Sequence, residues 1–314
     1  MDFLFIIDPA DTLKAYKDTS VAMMRAAQAR GHSISICEQT SLAWRPGGVV
    51  AEATHIVLSG DDADWYRAHE SAERRLAEFD AVLMRKDPPF DMDYIFTTYL
   101  LELAEQRGVL VVNKPQSLRD ANEKLFTLQF PQCTPPTLVS CNKAQLRDFL
   151  IQQRDIILKP LEGMGGASIF RVREEDANVN VIIETLTNHG QRLIMAQRYI
   201  PEISYGDKRI LLIDGEAIPY ALARIPAKGE TRANLAVGGE GVGMELTERD
   251  HWICQQVGPT LRDKGLLFVG IDVIGDYLTE INVTSPTCIR ELDKFYGLNI
   301  SARLFERIET HLRK

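Results

Sequence analysis

The chain has 314 residues, of which 45% are hydrophobic and 25% charged, and its formal net charge at pH 7 is −8. This composition is typical of a globular protein of about two domains, large enough to bury a core without disulfides or structural metals. The acidic balance excludes a general nucleic-acid-binding surface and an anionic-membrane surface, so we expect neither partner. An anionic substrate would therefore have to be held by a few placed cations.

The cysteine and histidine patterns argue against a zinc site. The five cysteines are scattered without a CxxC pair, as in proteins of a reducing compartment, and the six histidines form no HExxH-like pair. The apolar run at residues 3–7 is too short for a signal peptide, and no apolar run is long enough to cross a membrane. We therefore expect a cytoplasmic protein.

The first third of the chain alternates apolar strands with helices. Strands are predicted at 3–7, 33–37, 81–84 and 109–112, and helices at 21–30 and 93–106. Continuous apolar strands separated by helices favour a parallel sheet covered on both faces. Because no GxGxxG follows the first strand, a dinucleotide site is not expected.

The pattern changes after residues 113–115, where a short helix is predicted over 120–129. Further on the strands are short, and Asp214-Gly215 between two apolar runs predicts a β-hairpin. The sequence thus predicts an α/β domain of about 120 residues with a parallel sheet, followed by an α+β region that is largely antiparallel.

A glycine-rich turn follows Lys159, which ends a predicted strand, and a second strand is predicted over 168–172. Glycines at 163, 165 and 166 let backbone amides approach an anion, and the lysine adds a point charge for a phosphate. The order differs from a Walker A loop, because the lysine precedes the glycines. On glycine count alone, a tight hairpin with an exposed lysine would be favoured.

A second hairpin is predicted around Gly275-Asp276. A three-residue loop pairs Ile274 with Leu278 and Asp272 with Glu280, and it gathers Asp272, Glu280 and Asn282 on one face. Two carboxylates and an amide oxygen suit Mg²⁺, and facing acids repel unless a cation lies between them. We favour this metal site over a solvated polar face.

Together these segments resemble the ATP-grasp ligases, and specifically the prokaryotic-type glutathione synthetases, along nearly the whole chain. The resembling stretches are 84–91, 113–120, 122–125, 159–168, 223–226, 229–234 and 280–287. RKDPPFD, within the first stretch, and NVTSPT, within the last, are the most specific to the glutathione synthetases.

The resemblance implies an N-terminal pre-ATP-grasp domain at 1–122 and an ATP-grasp region of two subdomains, at 123–200 and 201–314. It implies ATP-dependent ligation of γ-glutamylcysteine and glycine through an acyl phosphate, giving glutathione, ADP and phosphate. ATP would be the co-substrate and Mg²⁺ the metal, with Mn²⁺ as a substitute. It also implies a homo-oligomer, either a dimer or a tetramer.

The resemblance also implies roles for individual residues. Lys124 and Lys159 would reach the ATP phosphates, under a loop containing Gly163, Gly165 and Gly166. Gln197, Tyr199 and Ile200 would belong to a hinge whose backbone contacts adenine. Asp207 would hold the ribose, although an ordinary loop aspartate explains it about as well. Asp272, Glu280 and Asn282 match the metal ligands.

The remaining site residues are cationic or polar. Arg209 and Arg224 flank the Asp214-Gly215 turn, and a two-residue turn would pair residue 209 with residue 220. We expect both arginines to point into the site and stabilise the transferring phosphoryl group, with a solvated hairpin face as the alternative.

Substrate contacts are expected from Arg85, Arg232, Asn234 and Ser285. For Arg85, a salt bridge to Asp87 or Asp91 is a competing interpretation. The glycine-rich stretch 227–243 is expected to be a lid that shields an acyl phosphate from water. Cys288 lies near the expected site, where we expect an inert thiol.

Two other functions remain open on the sequence. One is a different carboxylate–amine ligase, of the D-alanine–D-alanine or glutamate-adding type, which would share the ATP site. The other is a non-catalytic nucleotide-binding protein, which the complete metal set Asp272, Glu280 and Asn282 argues against.

Overall fold

The computed structural model describes residues 1–163, 167–226 and 240–313, and these form three β-sheets with helices packed on them. The strands of the first sheet are β1 (Asp2–Ile7), β2 (Ser33–Glu38), β3 (Ala43–Arg45), β4 (Gly48–Leu58), β5 (Tyr66–Arg75), β6 (Ala81–Met84) and β7 (Leu110–Val112). Its helices are α1 (Thr19–Ala29), α2 (Met92–Glu105) and α3 (Pro115–Asp120).

The first sheet contains the predicted parallel strands in the order β2-β1-β6-β7. Five consecutive residues of β1 are buried, as expected for a strand covered on both faces. Strands β3, β4 and β5 extend the sheet in antiparallel fashion and were not expected. The pattern gave little sign of β5 because nine of its ten residues, 67–75, are polar or small.

The predicted helix at 120–129 is wrong. Helix α3 ends at Asp120, and a separate 3-10 helix covers Leu125–Gln129. The side chain of Asn122 accepts hydrogen bonds from the amides of Lys124 and Leu125, at 3.1 and 3.0 Å, and so starts the second segment independently.

The second sheet is antiparallel and has the order β10-β9-β11-β8. Its elements are β8 (Thr137–Ser140), α4 (Lys143–Gln153), β9 (Asp155–Pro160), β10 (Phe170–Arg173), α5 (Val179–Leu186) and β11 (Ile194–Arg198). Strand β10 begins two residues later than predicted, after Ser168, whose φ of 58° lies outside the β region. The two helices share a separate hydrophobic core with this sheet.

The third sheet is also antiparallel, in the order β14-β13-β12-β15-β16. Its elements are β12 (Asp207–Ile213), β13 (Glu216–Ile225), β14 (Glu240–Glu245), α6 (Glu248–Asp263), β15 (Phe268–Ile274), β16 (Tyr277–Asn282), α7 (Ile289–Tyr296) and α8 (Ile300–Leu312). Two cores combine residues of the first and third sheets, so these sheets pack into one body.

The predicted hairpin of β12 and β13 turns at Asp214-Gly215, whose φ angles of 52° and 75° suit a two-residue turn. The pairing of residues 209 and 220 is wrong. An irregularity in β13 moves the register so that Arg209 lies opposite Leu222 and Asp207 lies opposite Arg224. In the part of the chain that the structure describes, no helix is long and apolar enough to cross a lipid bilayer.

Candidate active site

A cavity of about 350 Å³ opens where the second and third sheets meet. Its charged and amide-bearing lining includes the predicted residues Lys124, Lys159, Gln197, Asp207, Arg209, Asp272, Glu280 and Asn282. Its apolar lining includes Ile157, Ile169, Ile200, Ile203 and Ile274. The lining therefore combines charged groups with apolar side chains that suit contact with a flat apolar group.

The hairpin of β15 and β16 brings the predicted metal ligands together. Asp272 pairs with Glu280, as predicted. The predicted pairing of Ile274 with Leu278 is wrong, because Ile274 pairs with Tyr277 across a two-residue turn. Thr279 is the extra residue of a bulge, and its hydroxyl donates to the Asp272 carbonyl at 3.1 Å.

Asp272 is buried and surrounded by donors. Arg209 contacts both of its carboxylate oxygens, with Nη2 3.0 Å from Oδ2, and Arg224 Nη2 lies 2.9 Å from Oδ2. Burial opposes ionisation, but the two guanidinium groups hold the pKa of Asp272 well below its usual range. Asn282 Nδ2 donates to Oδ2 at 3.3 Å, which leaves the Asn282 side-chain oxygen for another partner.

Lys124 and Lys159 converge on Glu280 from two sides. Their Nζ atoms lie 3.6 and 3.9 Å from Glu280 Oε1. Lys124 also contacts Glu123 and donates to the carbonyl of Gly163 at 3.3 Å. Burial lowers the pKa of Lys159. For Lys124 burial acts in the same direction, but Glu280 and Glu123 outweigh it and raise the pKa.

Asp207 lies beside Arg224, which donates to its Oδ2. Its Oδ1 is buried and has no hydrogen-bond partner among the described residues. Burial raises the pKa of Asp207 to about 7, although Arg224 acts in the opposite direction. A buried oxygen without a donor is costly, so this carboxylate is suited to accept a hydrogen bond from a ligand.

The predicted hinge residues Gln197, Tyr199 and Ile200 also line the cavity. Gln197 Nε2 donates to Thr137 Oγ1 at 3.1 Å, and the Tyr199 ring packs under a guanidinium group of β10, Arg171, at 3.5 Å. The amides of Arg198 and Tyr199 already donate to the carbonyls of residues 136 and 155, both at 3.0 Å. These two amides cannot also contact adenine.

Arg85 and Arg224 do not line the cavity, although Arg224 reaches it through Asp272. Arg85 is buried after β6, and it donates to Ser20 Oγ at 3.1 Å and to the Pro286 carbonyl at 3.0 Å. Burial lowers the pKa of Arg85. Among the described residues it forms no ion pair, so the competing salt bridges to Asp87 and Asp91 are absent there.

Two further residues lie near Arg85. Ser285 lines the cavity, and its hydroxyl donates to the Arg85 carbonyl at 3.2 Å. Cys288 is buried, and this burial raises the pKa of its thiol. A buried thiol of raised pKa is a poor nucleophile, which favours the inert interpretation.

Some predicted residues fall outside the described ranges. These are Gly165, Gly166, Arg232, Asn234 and most of the expected lid, residues 227–239. The remaining part of that expected lid, residues 240–243, belongs to β14 and pairs with β13, so the predicted end at 243 is wrong.

The donor set fits a divalent cation that also binds a ligand. No group of three His, Cys, Asp or Glu residues within the described ranges could hold a metal on its own. Asp272, Glu280 and Asn282 instead offer two carboxylates and one amide oxygen on one face of β15 and β16. A hard cation bound there would take its other oxygens from phosphate and water.

Comparison with known proteins identifies the family. The model of the prokaryotic glutathione synthetase N-terminal domain matches residues 1–119, and that of the ATP-grasp domain of the same enzymes matches residues 123–297. The chain belongs to the prokaryotic glutathione synthetases. The resemblance inferred from the sequence is thus confirmed, and the chain is an ATP-dependent ligase.

Curated relatives agree over nearly the whole chain. The glutathione synthetase of Pseudomonas syringae pv. tomato is 58% identical over 308 residues, covering 98% of this chain and 97% of the relative. That of Vibrio cholerae is 56% identical over 308 residues, with the same coverage. That of Coxiella burnetii is 53% identical over 305 residues, covering 97% and 95%.

Solved structures show the same fold. The D-cycloserine synthetase DcsG has a TM-score of 0.67 at 15% identity and covers 98% of this chain and 99% of its own. The ATP-grasp ligase PsnB, complexed with minimal precursor, Mg and ADP, has a TM-score of 0.62 at 16% identity, covering 99% and 98%. At this identity the likeness concerns the fold alone. It confirms the predicted α/β domain followed by an ATP-grasp region.

The sequence interpretation missed one charged member of the site. Glu123 lines the cavity and contacts Lys124, and burial together with the nearby Glu280 raises its pKa. The stretch 122–125 contains it, but only the lysine was selected there. An acid next to a lysine has no pattern that separates it from a solvated surface residue.

Proposed function

We propose that this cavity joins γ-glutamylcysteine to glycine, with cleavage of ATP to ADP and phosphate. The observation that carries the proposal is the convergence of Lys124 and Lys159 on Glu280, itself paired with Asp272. Two cations for phosphate and two carboxylates for a metal thus share one small volume. The other ligases considered would share this arrangement, but whole-chain relatives of 53% to 58% identity favour glutathione synthesis.

Binding of ATP would change the ion-pair partners of Lys124, Lys159 and Glu280. Lys124 and Lys159 would move from Glu280 to the phosphate groups of ATP. These groups carry more negative charge than a carboxylate, and their oxygens accept charge-assisted hydrogen bonds. Glu280 would then be available, with Asp272 and the Asn282 oxygen, as a metal ligand. We propose Mg²⁺ as that metal, with Mn²⁺ as a substitute, because both prefer hard oxygen ligands. A bound metal would offset charge on the phosphate oxygens.

The reaction needs an activated carboxyl group. An oxygen of the γ-glutamylcysteine carboxylate would attack the terminal phosphorus of ATP, forming an acyl phosphate and releasing ADP. The glycine amine would then attack the acyl carbon, forming the amide bond, releasing phosphate and losing a proton to solvent. Arg209 lines the cavity and Arg224 lies behind it, so both would stabilise negative charge from fixed positions.

The apolar side chains of the cavity lining would hold the nucleoside. Adenine would lie among the isoleucines and contact the hinge carbonyls and the amide of Ile200, with Gln197 and Tyr199 beside it. The unpartnered Oδ1 of Asp207 would accept a ribose hydroxyl. Gly163, with a φ of 103°, would start the loop over the phosphates, because a side chain there would be strained.

Arg85 would bind a carboxylate of γ-glutamylcysteine. Its guanidinium is buried beside the cavity and touches only neutral acceptors among the described residues. A buried cation without a carboxylate is costly, and an anionic substrate would remove that cost. Ser285 would complete this end of the substrate site.

We also propose three functional units, at 1–122, 123–200 and 201–314; the middle unit has its own core, which supports the division. We propose a homo-oligomer and a cytoplasmic location. The location is supported by five unpaired cysteines, as expected in a reducing compartment.

The deciding experiment is ADP formation with γ-glutamylcysteine and glycine supplied singly and together, at fixed ATP and Mg²⁺. We expect full turnover only with both, and glutathione in equal amount to ADP. Equal or faster turnover with D-alanine or glutamate as the amine would instead identify another carboxylate–amine ligase. ATP binding without turnover on any amine would support a non-catalytic protein.

A further inference from the structure

The second sheet has two faces with different surroundings. On one face its strands pack against helices α4 and α5, through buried residues such as Ile156 and Ala196. Because side chains alternate along a strand, the residues next to these point to the opposite face. Ile157 and Gln197 lie on that opposite face and line the cavity. Tyr199, two residues after Gln197, lines the cavity as well, so the side chains around it can act on the cavity wall.

Three charged side chains share the cavity-facing side of β9 and β10. Arg171 pairs with Ile157 across the two strands, and Arg173 pairs with Asp155. Arg171 Nε and Nη2 donate to the two carboxylate oxygens of Asp155, at 2.9 and 2.7 Å. Arg173 Nε donates to one of the same oxygens at 3.4 Å. Burial opposes ionisation of Asp155, but the hydrogen bonds from Arg171 outweigh it and lower the pKa. The bidentate ion pair fixes the plane of the Arg171 guanidinium.

The guanidinium of Arg171 also covers the ring of Tyr199. Its central carbon lies 3.5 Å from the ring centre, a distance at which a cation is attracted to the face of an aromatic ring. The backbone of Tyr199 is tied to the same strand, because its amide donates to the Asp155 carbonyl at 3.0 Å. Both the ring and the backbone of Tyr199 are therefore held in place before a ligand binds.

We propose that Arg171 is a positioning residue for the nucleotide base and that it acts through Tyr199. The inference rests on the proposed placement of adenine beside Tyr199. A side chain that is ordered only when a ligand binds weakens the affinity by roughly two- to tenfold. Arg171 removes this cost, because it orders the Tyr199 ring in the free protein. Arg171 does not itself line the cavity, so its effect on the base passes through the ring.

Calorimetry with ATP and ADP tests this role. Arg171→Met keeps the length of the side chain but removes the guanidinium from the ring. We expect the Kd values for ATP and ADP to rise by the same factor, roughly three- to tenfold, because the two nucleotides share the base. In the ligase assay the KM for ATP should rise while kcat stays nearly constant, as for a contact that is equally strong in the ground state and the transition state. Arg171→Lys should restore part of the affinity, since it keeps a cation over the ring.

Arg173→Met is the matched control. It removes the other arginine partner of Asp155 from the same strand, whereas the ring contact belongs to Arg171. It should bind ATP as the wild type does. Both variants should melt within a few degrees of the wild type, because Asp155 keeps one arginine in each.

A double-mutant cycle tests whether Arg171 acts through the ring. Adding Arg171→Met to Tyr199→Leu should weaken ATP binding little further than Tyr199→Leu alone. Additive losses in the double variant would overturn the inference. Unchanged ATP affinity in Arg171→Met, or equal losses in Arg171→Met and Arg173→Met, would overturn it too. A wild-type protein that does not bind ATP would overturn the proposed function, and this inference with it.

Discussion

Arg209 lies directly opposite Asp272 on the neighbouring strand, and its guanidinium contacts both carboxylate oxygens in a buried ion pair. Arg224 approaches the same carboxylate from the next strand. Asp272 therefore has two roles in one position. It offsets two buried cations, and it contributes an oxygen to the proposed metal site. Its partner Glu280 is more exposed, and within the described ranges its ion pairs are those with Lys124 and Lys159.

This difference predicts separable effects of two isosteric changes. Asp272→Asn and Glu280→Gln should each remove most Mg²⁺-dependent ADP release, because each deletes a charged metal ligand. Asp272→Asn should also lower the free energy of unfolding by roughly 3 kcal/mol, since it leaves buried arginines without their carboxylate. Glu280→Gln should lower it by less, because Glu280 is partly exposed and Lys124 keeps Glu123 as a partner. Urea unfolding and ADP assays provide the measurements.

The matched control is Glu216→Gln, which removes an exposed carboxylate that pairs with Arg303 and Arg307 on α8. It should leave both activity and stability nearly unchanged. Near-normal ADP release in both site variants would contradict the metal assignment. Equal loss of stability in both would contradict the distinct role of Asp272.

Lys159→Met should weaken ATP binding at least roughly tenfold, which corresponds to one charge-assisted hydrogen bond. Methionine keeps most of the buried volume, whereas alanine would leave a cavity at a residue that is only 5% exposed. Stability should not fall, because removing a buried charge also removes its desolvation cost. Calorimetry with ATP and a melting curve without it test both statements.

Lys143→Met is the control for this change, since Lys143 is an exposed lysine of the same unit that pairs with Glu184. It should bind ATP normally. If Lys159→Met also binds ATP normally, the lysine has no phosphate contact and serves only to neutralise Glu280.

Local patterns were sufficient for the strands that are apolar throughout and for the positions of the two hairpins. The parallel strands and the pairing of Asp272 with Glu280 follow from such patterns. The charged strand β5 cannot be predicted from such patterns, because it forms by pairing with an edge of β4 that exists only in the folded sheet.

Bulges were the second source of error. Two irregularities, one in β13 and one at Thr279, shift the register by amounts that alternation of polar and apolar residues cannot specify. In β13 the shift places Arg224 opposite Asp207, and both belong to the proposed site. Which cation pairs with which carboxylate is decided by these shifts, so the sequence could identify the charged residues of the site but not their partners.

The free energy of unfolding should depend on pH through the contact of Arg30 and His32 with helix α8. Arg30 and His32 bind Glu309 on α8, with Arg30 Nε at 2.7 Å and His32 Nε2 at 2.9 Å from Oε1. The hydrogen bond from Arg30 is the main cause that lowers the pKa of Glu309 to about 2. The folded state therefore favours the charged form of the Glu309 carboxylate. The contribution of this carboxylate to the free energy of unfolding is lost as pH falls from about 4.5 towards 2.

The test compares wild type with Glu309→Gln by urea unfolding at a series of pH values. At pH 7 the wild type should be more stable by on the order of 2 kcal/mol, and the difference should shrink steadily below pH 4.5. Arg313 and Glu306 also face this cluster, so Glu306→Gln serves as the control and should show a much smaller slope. A difference that does not change with pH would show that the lowered pKa has no part in holding α8.

Arg85→Gln should act on one substrate alone. We expect the KM for γ-glutamylcysteine to rise at least roughly tenfold, because the change removes a charged hydrogen-bonding partner of the substrate carboxylate. The KM values for ATP and glycine should stay nearly constant, since Arg85 does not line the cavity that holds the nucleotide. Arg85→Lys should give an intermediate KM, because lysine keeps the charge but not the planar fork of donors. Lys86→Gln is the control, as Lys86 points to Asp8 at 2.8 Å and should leave all three KM values unchanged. Equal rises in all three KM values for Arg85→Gln would mean that the buried guanidinium only holds Ser20 and Pro286 in place, and the carboxylate contact would then have to come from another residue.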